Sequence, residues 1–158
     1  MKESAAIFVD VQNIYYTCRQ AFDRQFNYRA LWQQLSEQYD IQLANAYAIQ
    51  RSDDQQHKFQ SALKHIGFDV KLKPFIQRSD GSAKGDWDVG ITIDIMEAAP
   101  NVDHVILLSG DGDFELLIRH IKNKHQVSTQ AFGVEQLTAN ALMNAVDSFT
   151  AIDDNLLQ

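Results

Sequence analysis

Val105-Ile106-Leu107-Leu108-Ser109-Gly110-Asp111-Gly112-Asp113-Phe114 joins a short apolar run to an acidic, glycine-rich turn. The run is bounded by turn residues, which predicts a strand buried on both faces rather than a helix. A strand buried in that way belongs to a mainly parallel sheet with helices on both sides. The same design stands near the start of the chain, where Ala5-Ala6-Ile7-Phe8-Val9 leads into Asp10-Val11-Gln12-Asn13. Two buried strands thus end in aspartates.

Outward from these stretches, apolar runs alternate with helical patterns, the signature of repeated βαβ units. Helices are expected over Gln12–Gln20 and Tyr28–Gln38, the second with Leu31, Trp32 and Leu35 on one face. Leu43–Ile49 predicts a second strand. Asp53 or Asp54 can cap a helix carrying Phe59, Leu63 and Ile66, and Gly67 suits its C-terminal stop. Phe68–Phe75 reads as a third strand broken near Pro74, and Ile76–Lys84 as a polar loop with an Asp80-Gly81 turn. A helix from Asp86 to Ala99 is closed by Pro100. After Val105–Leu108, the pattern gives a helix over Phe114–Lys124, a strand over Val127–Phe132, a helix over Gln136–Val146 and a short tail. No repeat, low-complexity tract or linker interrupts the sequence, so residues 1–158 are expected to form a single domain.

Composition narrows the function classes. Apolar residues make up 45% and charged residues 22% of 158 residues, which excludes disorder and is enough for a core without disulfides. Cys18 is the only cysteine. It has no partner and no Cys/His pair sits at zinc spacing, so a reducing compartment and a cytoplasmic location are expected. The N-terminal apolar run is too short for a signal peptide and ends in Asp10. No run approaches a membrane span. The net charge of -7 does not mark a nucleic-acid binder. Yet seven of the fourteen basic residues lie between Arg51 and Lys84, against four aspartates in the same stretch. That asymmetry suits cations held in one place with phosphates beside them, and equally a solvated face.

In open α/β sheets, ligands bind at the carboxyl ends of the strands where strand order reverses. If the two acid-tipped strands are neighbours, Asp10, Asp111 and Asp113 converge. Such carboxylates repel one another unless a divalent cation binds them, and an all-oxygen set suits Mg²⁺ or Mn²⁺. Singly, each aspartate is readable as a helix cap or turn residue, and Ser109 and Gly110 as turn formers. The third element is Lys84-Gly85-Asp86-Trp87-Asp88-Val89-Gly90-Ile91-Thr92-Ile93-Asp94. Asp86 suits a cap. Asp88, in the first turn, is placed for direct or water-mediated metal contact. Asp94 lies about 120° round the helix from Asp88. It reads as a further metal contact or, equally, as a hydrogen bond tying helix to sheet.

Phe8-Val9-Asp10-Val11-Gln12-Asn13, then Lys84-Gly85-x-x-Asp88-Val89, then Ser109-Gly110-Asp111-Gly112-Asp113-Phe114, resembles the NYN-domain family of PIN-like ribonucleases, in its LabA-like branch. Leu142–Phe149 looks like the end of the same domain. The resemblance implies a three-layer, PIN-like α/β Rossmannoid fold, with a five-stranded mainly parallel sheet in the order 3-2-1-4-5. It also implies hydrolysis of RNA phosphodiesters at a divalent-metal site. By position, Asp10, Asp88, Asp111 and Asp113 match the acidic residues, Asn13 the supporting asparagine and Lys84 the motif lysine. Leu116 and His125 depart from the family pattern, at helix ends rather than in the chemistry.

The expected centre is then Mg²⁺ or Mn²⁺ on Asp10, Asp111 and Asp113, with Asp88 through water. Asn13 would orient Asp10 or the attacking water, and Lys84 and Ser109 would meet a phosphate. Arg51, Lys71, Lys73 and Arg78 would guide the flanking backbone. Tyr15, Tyr16 and Trp87 read as base-stacking or, more simply, as packing residues. The expected partner is single-stranded RNA, with a homodimer left open. Two rivals share the fold class: a catalytically inactive RNA-binding or regulatory module, and a phosphotransfer or receiver-like domain. Against the second, Gln12 stands where a haloacid-dehalogenase-type phosphatase needs its second aspartate, and Pro74-Phe75 where a receiver needs its phosphorylatable one.

Overall fold

The structure is a computed structural model that describes residues 1–50, 53–74, 76–77, 83–84 and 86–158. Its centre is a six-stranded, wholly parallel sheet. The strands are β1 (Glu3–Asp10), β2 (Tyr39–Gln50), β3 (Asp69–Pro74), β6 (His104–Leu108), β7 (Ser128–Gly133) and β8 (Ser148–Ala151), in the spatial order β3-β2-β1-β6-β7-β8. A separate antiparallel pair, β4 (Ile76–Gln77) and β5 (Ala83–Lys84), precedes β6. The helices are α1 (Val11–Phe22), α2 (Tyr28–Gln38), α3 (Asp54–Ile66), α4 (Asp88–Ala98), α5 (Glu115–His125) and α6 (Asn140–Ala145).

The continuous apolar run of β1 has its reason in the layers. Ala5, Ile7 and Val9 pack with residues of α1, α2 and α3, while Ala6 and Phe8 pack with residues of α4, α5 and α6. Side chains alternate across a strand, so a strand covered on both faces has no polar positions to spare. The chain fills the sheet from β1 outward through β2 to β3, returns, and then fills β6, β7 and β8 on the other side. Strand order therefore reverses between β1 and β6, which pair with Val9 opposite Leu108. The two acid-tipped strands are neighbours.

Three expectations need correction. The sheet has six strands rather than five: the stretch expected to be a tail forms β8, with Gln130–Gly133 opposite Ser148–Ala151. Asp147 anchors it, accepting from the Thr129 amide at 2.8 Å and from the Thr129 hydroxyl at 3.1 Å. Within the expected Ile76–Lys84 loop, Ile76 pairs with Lys84 and Gln77 with Ala83. Last, the helix expected over Gln136–Val146 is a 3-10 turn, Glu135–Leu137, followed by the short α6. Thr138 separates them, its hydroxyl donating to the Val134 carbonyl at 2.7 Å. Gly67 does stop α3, at φ 138°, a conformation glycine adopts without steric cost.

Candidate metal centre

The end of β1 and the start of α1 form the back of the site. Asp10 is the N-cap of α1, accepting from the Asn13 amide at 3.5 Å. Asn13 sends its own side chain across to the neighbouring strand, where its Oδ1 accepts from the Gly110 amide at 2.9 Å. Ser109 is fully buried. Its Oγ donates to Asp10 Oδ2 at 3.2 Å and accepts from the Asp111 amide at 3.2 Å. The two strand ends are thus tied by two side chains, and the tie fixes where Asp111 begins.

Close packing fixes the rest of the turn. The Gly110 carbonyl accepts from the Ala139 amide at 3.0 Å. A Cβ on Gly110 would stand 2.9 Å from the Leu137 carbonyl oxygen and 3.0 Å from Thr138 Oγ1. Asp111 caps the 3-10 turn Gly112–Phe114, accepting from the Asp113 amide at 2.9 Å. Asp88 comes from the first turn of α4, where the Asp86 side chain accepts from its amide at 3.3 Å. One carboxylate oxygen each from Asp88, Asp111 and Asp113 lie within 4.8 Å of one another.

That proximity shows in the acid–base chemistry. Asp88 rises from its ordinary value of 3.8 to about 7, through burial first, then its hydrogen bond and repulsion with Asp111, then Asp86 and Asp10. Asp10 rises to about 6: burial dominates, the Asn13 amide and the Ser109 hydroxyl oppose it, and the charges of Asp111 and Asp86 reinforce it. The donor set is purely oxygen and compact, and Asp88 within it is held well above the usual carboxylate range. A hard divalent cation relieves all of these conditions together, so the residues fit one.

The predicted residues are distributed unequally. Asp111, Asp113 and Asp88 come together. From sequence, the ion is expected on Asp10, Asp111 and Asp113, with Asp88 in direct or water-mediated contact; in the structure Asp88, Asp111 and Asp113 form the trio, while Asp10 accepts from the Ser109 hydroxyl and the Asn13 amide and bears on the trio by its charge. Asp94 faces elsewhere: its Oδ2 accepts from the Tyr47 hydroxyl at 2.7 Å, which ties α4 to β2. Ser109, expected to meet a phosphate, is buried, and its hydroxyl is shared between Asp10 and the Asp111 amide. Lys73 donates to the Asp86 carbonyl at 3.1 Å and lies 5.2 Å over the Trp87 ring, so it holds the approach to α4. Lys71 pairs with Asp69 at 3.6 Å. Arg51 and Arg78 lie outside the described residues, as does the side chain of Lys84, whose backbone is in β5. Trp87 packs against Tyr47 and donates to the Ala48 carbonyl at 2.9 Å, while Tyr15 and Tyr16 are exposed on α1.

Beside the trio is a cavity of about 180 Å³ lined by Asp88, Val89, Thr92, Ile93, Asp113 and Phe114. Its apolar residues are not singled out by motif or spacing. The available signal is α4 itself, Asp-Val-Gly-Ile-Thr-Ile-Asp-Ile-Met-Glu-Ala, which is apolar nearly all round, as only a fully covered helix should be. Its Val89, Ile93 and Met96 are nevertheless exposed.

Comparison with known proteins agrees with this architecture. The NYN domain model matches residues 4–153. The low amplitude and bright protein LabA of Synechococcus elongatus is 31% identical over 157 residues, covering 94% of this chain and 83% of that protein. A crystal structure of a Vibrio parahaemolyticus protein of unknown function superposes with a TM-score of 0.95 at 50% identity, covering 99% of this chain and 97% of the other.

Proposed function

The chain belongs to the NYN domain family, and from that premise we propose that it is an endoribonuclease dependent on Mg²⁺ or Mn²⁺, cleaving single-stranded RNA at Asp88, Asp111 and Asp113. One observation carries the reading. Carboxylates from α4 and from the end of β6 meet at the point where strand order reverses, the usual ligand position in such sheets. When bound, the ion supplies Lewis-acid polarisation of a phosphoryl oxygen and a water acidic enough to attack.

The chain's own residues make that placement reproducible. Asp111 and Asp113 flank one glycine, and the Asp111 carboxylate accepts from the Asp113 amide, which holds the two residues together in one turn. Asp88 closes the trio from a separate helix. Asn13 and Ser109 are positioning residues: they accept from the Gly110 and Asp111 amides and so tie the turn that carries Asp111 to the end of β1. Asp10 adds negative charge behind the trio, which raises its demand for a cation. Among the described residues no helix is long and apolar enough to cross a membrane. A buried lone thiol at Cys18 is consistent with the cytoplasmic location we propose.

The test is purified protein with labelled single-stranded RNA, in EDTA and in Mg²⁺ or Mn²⁺. Metal-dependent internal cleavage is expected, reduced by about a hundredfold or more in Asp111→Asn, as for loss of one preorganised electrostatic group. Cleavage that persists in EDTA, or that survives both Asp88→Asn and Asp111→Asn, overturns the proposal. Metal-dependent thermal stabilisation without cleavage of any RNA points instead to a binding module.

A further inference from the structure

The cavity beside the carboxylate trio differs from the trio in chemistry. Its apolar lining is Phe114, only 1% exposed, with Val89 and Ile93, which are 72% and 52% exposed. Two of the trio, Asp88 and Asp113, line it as well, together with Thr92. A phosphate is repelled from such a lining unless a cation intervenes. A neutral group with an apolar face is not. The volume, about 180 Å³, is below that of an ordinary small-molecule site and suits a single ring system.

A group that is flat, neutral and joined through a ribose to a phosphate seated on the trio is a nucleobase. We infer that this cavity is a base subsite, receiving one unpaired base of the strand next to the phosphate at Asp88, Asp111 and Asp113. The inference rests on the nuclease reading of the trio and adds a reason for strand selectivity. A base held in a duplex is stacked and paired, and entering the cavity costs its unpairing. A single strand offers the base freely. The exposed aliphatic side chains of Val89 and Ile93 are thereby assigned as positioning residues for the substrate strand rather than as stray apolar surface. They share α4 with Ile91 and Ile95, which are fully covered, and with Met96, which is exposed but does not line the cavity.

The test uses one single-stranded RNA oligonucleotide and a series of copies, each with a single abasic ribose. The variants are Ile93→Ala and Val89→Ser, both at exposed positions. Melting temperature and Mg²⁺ stabilisation are measured first, and neither is expected to change. On intact RNA the double variant is expected to lose about tenfold in kcat/KM, the lower range for one base stacked on a side chain. The parent is expected to show the same loss at one abasic position beside the cleaved bond. On that abasic copy, parent and variant are expected to be equal. Independent effects that multiply overturn the subsite. In parallel, a 2-aminopurine scan of the oligonucleotide reads binding without turnover: a fluorescence change at one position, lost in the double variant, is expected. A parent that shows this change but cleaves nothing refutes the nuclease reading and leaves the base subsite standing. No position-dependent change overturns the subsite. So does sedimentation showing that the double variant turns a dimeric parent into a monomer, since a second copy would then cover this face.

Discussion

Asp88→Asn should stabilise the protein without metal and abolish its response to metal. In the metal-free fold the Asp88 carboxyl rises from 3.8 to about 7, mainly by burial and then by its contact with Asp111. Carried over in full, that difference is worth about 4 kcal/mol against the ionised form at alkaline pH. Asp88 is partly open to solvent, which screens the interaction, and about 1–2 kcal/mol is the appropriate expectation. The folded-state pKa lies above the unfolded one, so the protonated group's contribution is complete below about pH 4 and lost as pH rises through about 7. Asparagine resembles the protonated acid and keeps that contribution at every pH. In EDTA at pH 7.5 the variant should melt about 2–8 °C above the parent for a chain of this size. At pH 4 the two should nearly coincide. Adding Mg²⁺ should raise the parent's melting temperature at pH 7.5 and leave the variant almost unmoved. Differential scanning fluorimetry across pH 4–8, with and without Mg²⁺, measures all of this. A melting difference that does not change with pH, or equal stabilisation of parent and variant by Mg²⁺, refutes the reasoning.

Asn13→Ala removes the acceptor of the buried Gly110 amide, and should cost about 1–3 kcal/mol of stability, the penalty for leaving such a donor unsatisfied. Its loss of cleavage should exceed that share, because Asp111 is placed through Gly110; a urea midpoint and kcat, measured together, check this, and a fall in stability alone would assign Asn13 a purely structural part. Gly110→Ala brings a Cβ to 2.9 Å from the Leu137 carbonyl oxygen, so the turn must move. Overpacking of that kind costs about 1–3 kcal/mol, and the urea midpoint should fall accordingly with weaker Mg²⁺ binding by calorimetry.

The sequence by itself determined the sheet and the chemical type of the site. Apolar runs such as Ala5–Val9 and Val105–Leu108 can be satisfied only by burial on both faces, and that demand is written in local composition. The aspartates after them are visible for the same reason: polar residues directly after a buried strand emerge at its end. β8 was not legible, because Ser148-Phe149-Thr150-Ala151 is a half-buried edge whose pairing depends on Asp147 reaching the Thr129 amide. Nor was the arrangement of carboxylates. Spacing places Asp10 and Asp88 on their elements but says nothing of the distance between elements. Only the packed fold decided that Asp88 joins Asp111 and Asp113 while Asp10 bonds to Ser109, that Ser109 is buried, and that Asp94 bonds to Tyr47. The physical reason is that burial is a property of single residues and their near neighbours, whereas a site is a set of distances between segments far apart in the chain, and those are fixed by how whole helices seat on the sheet.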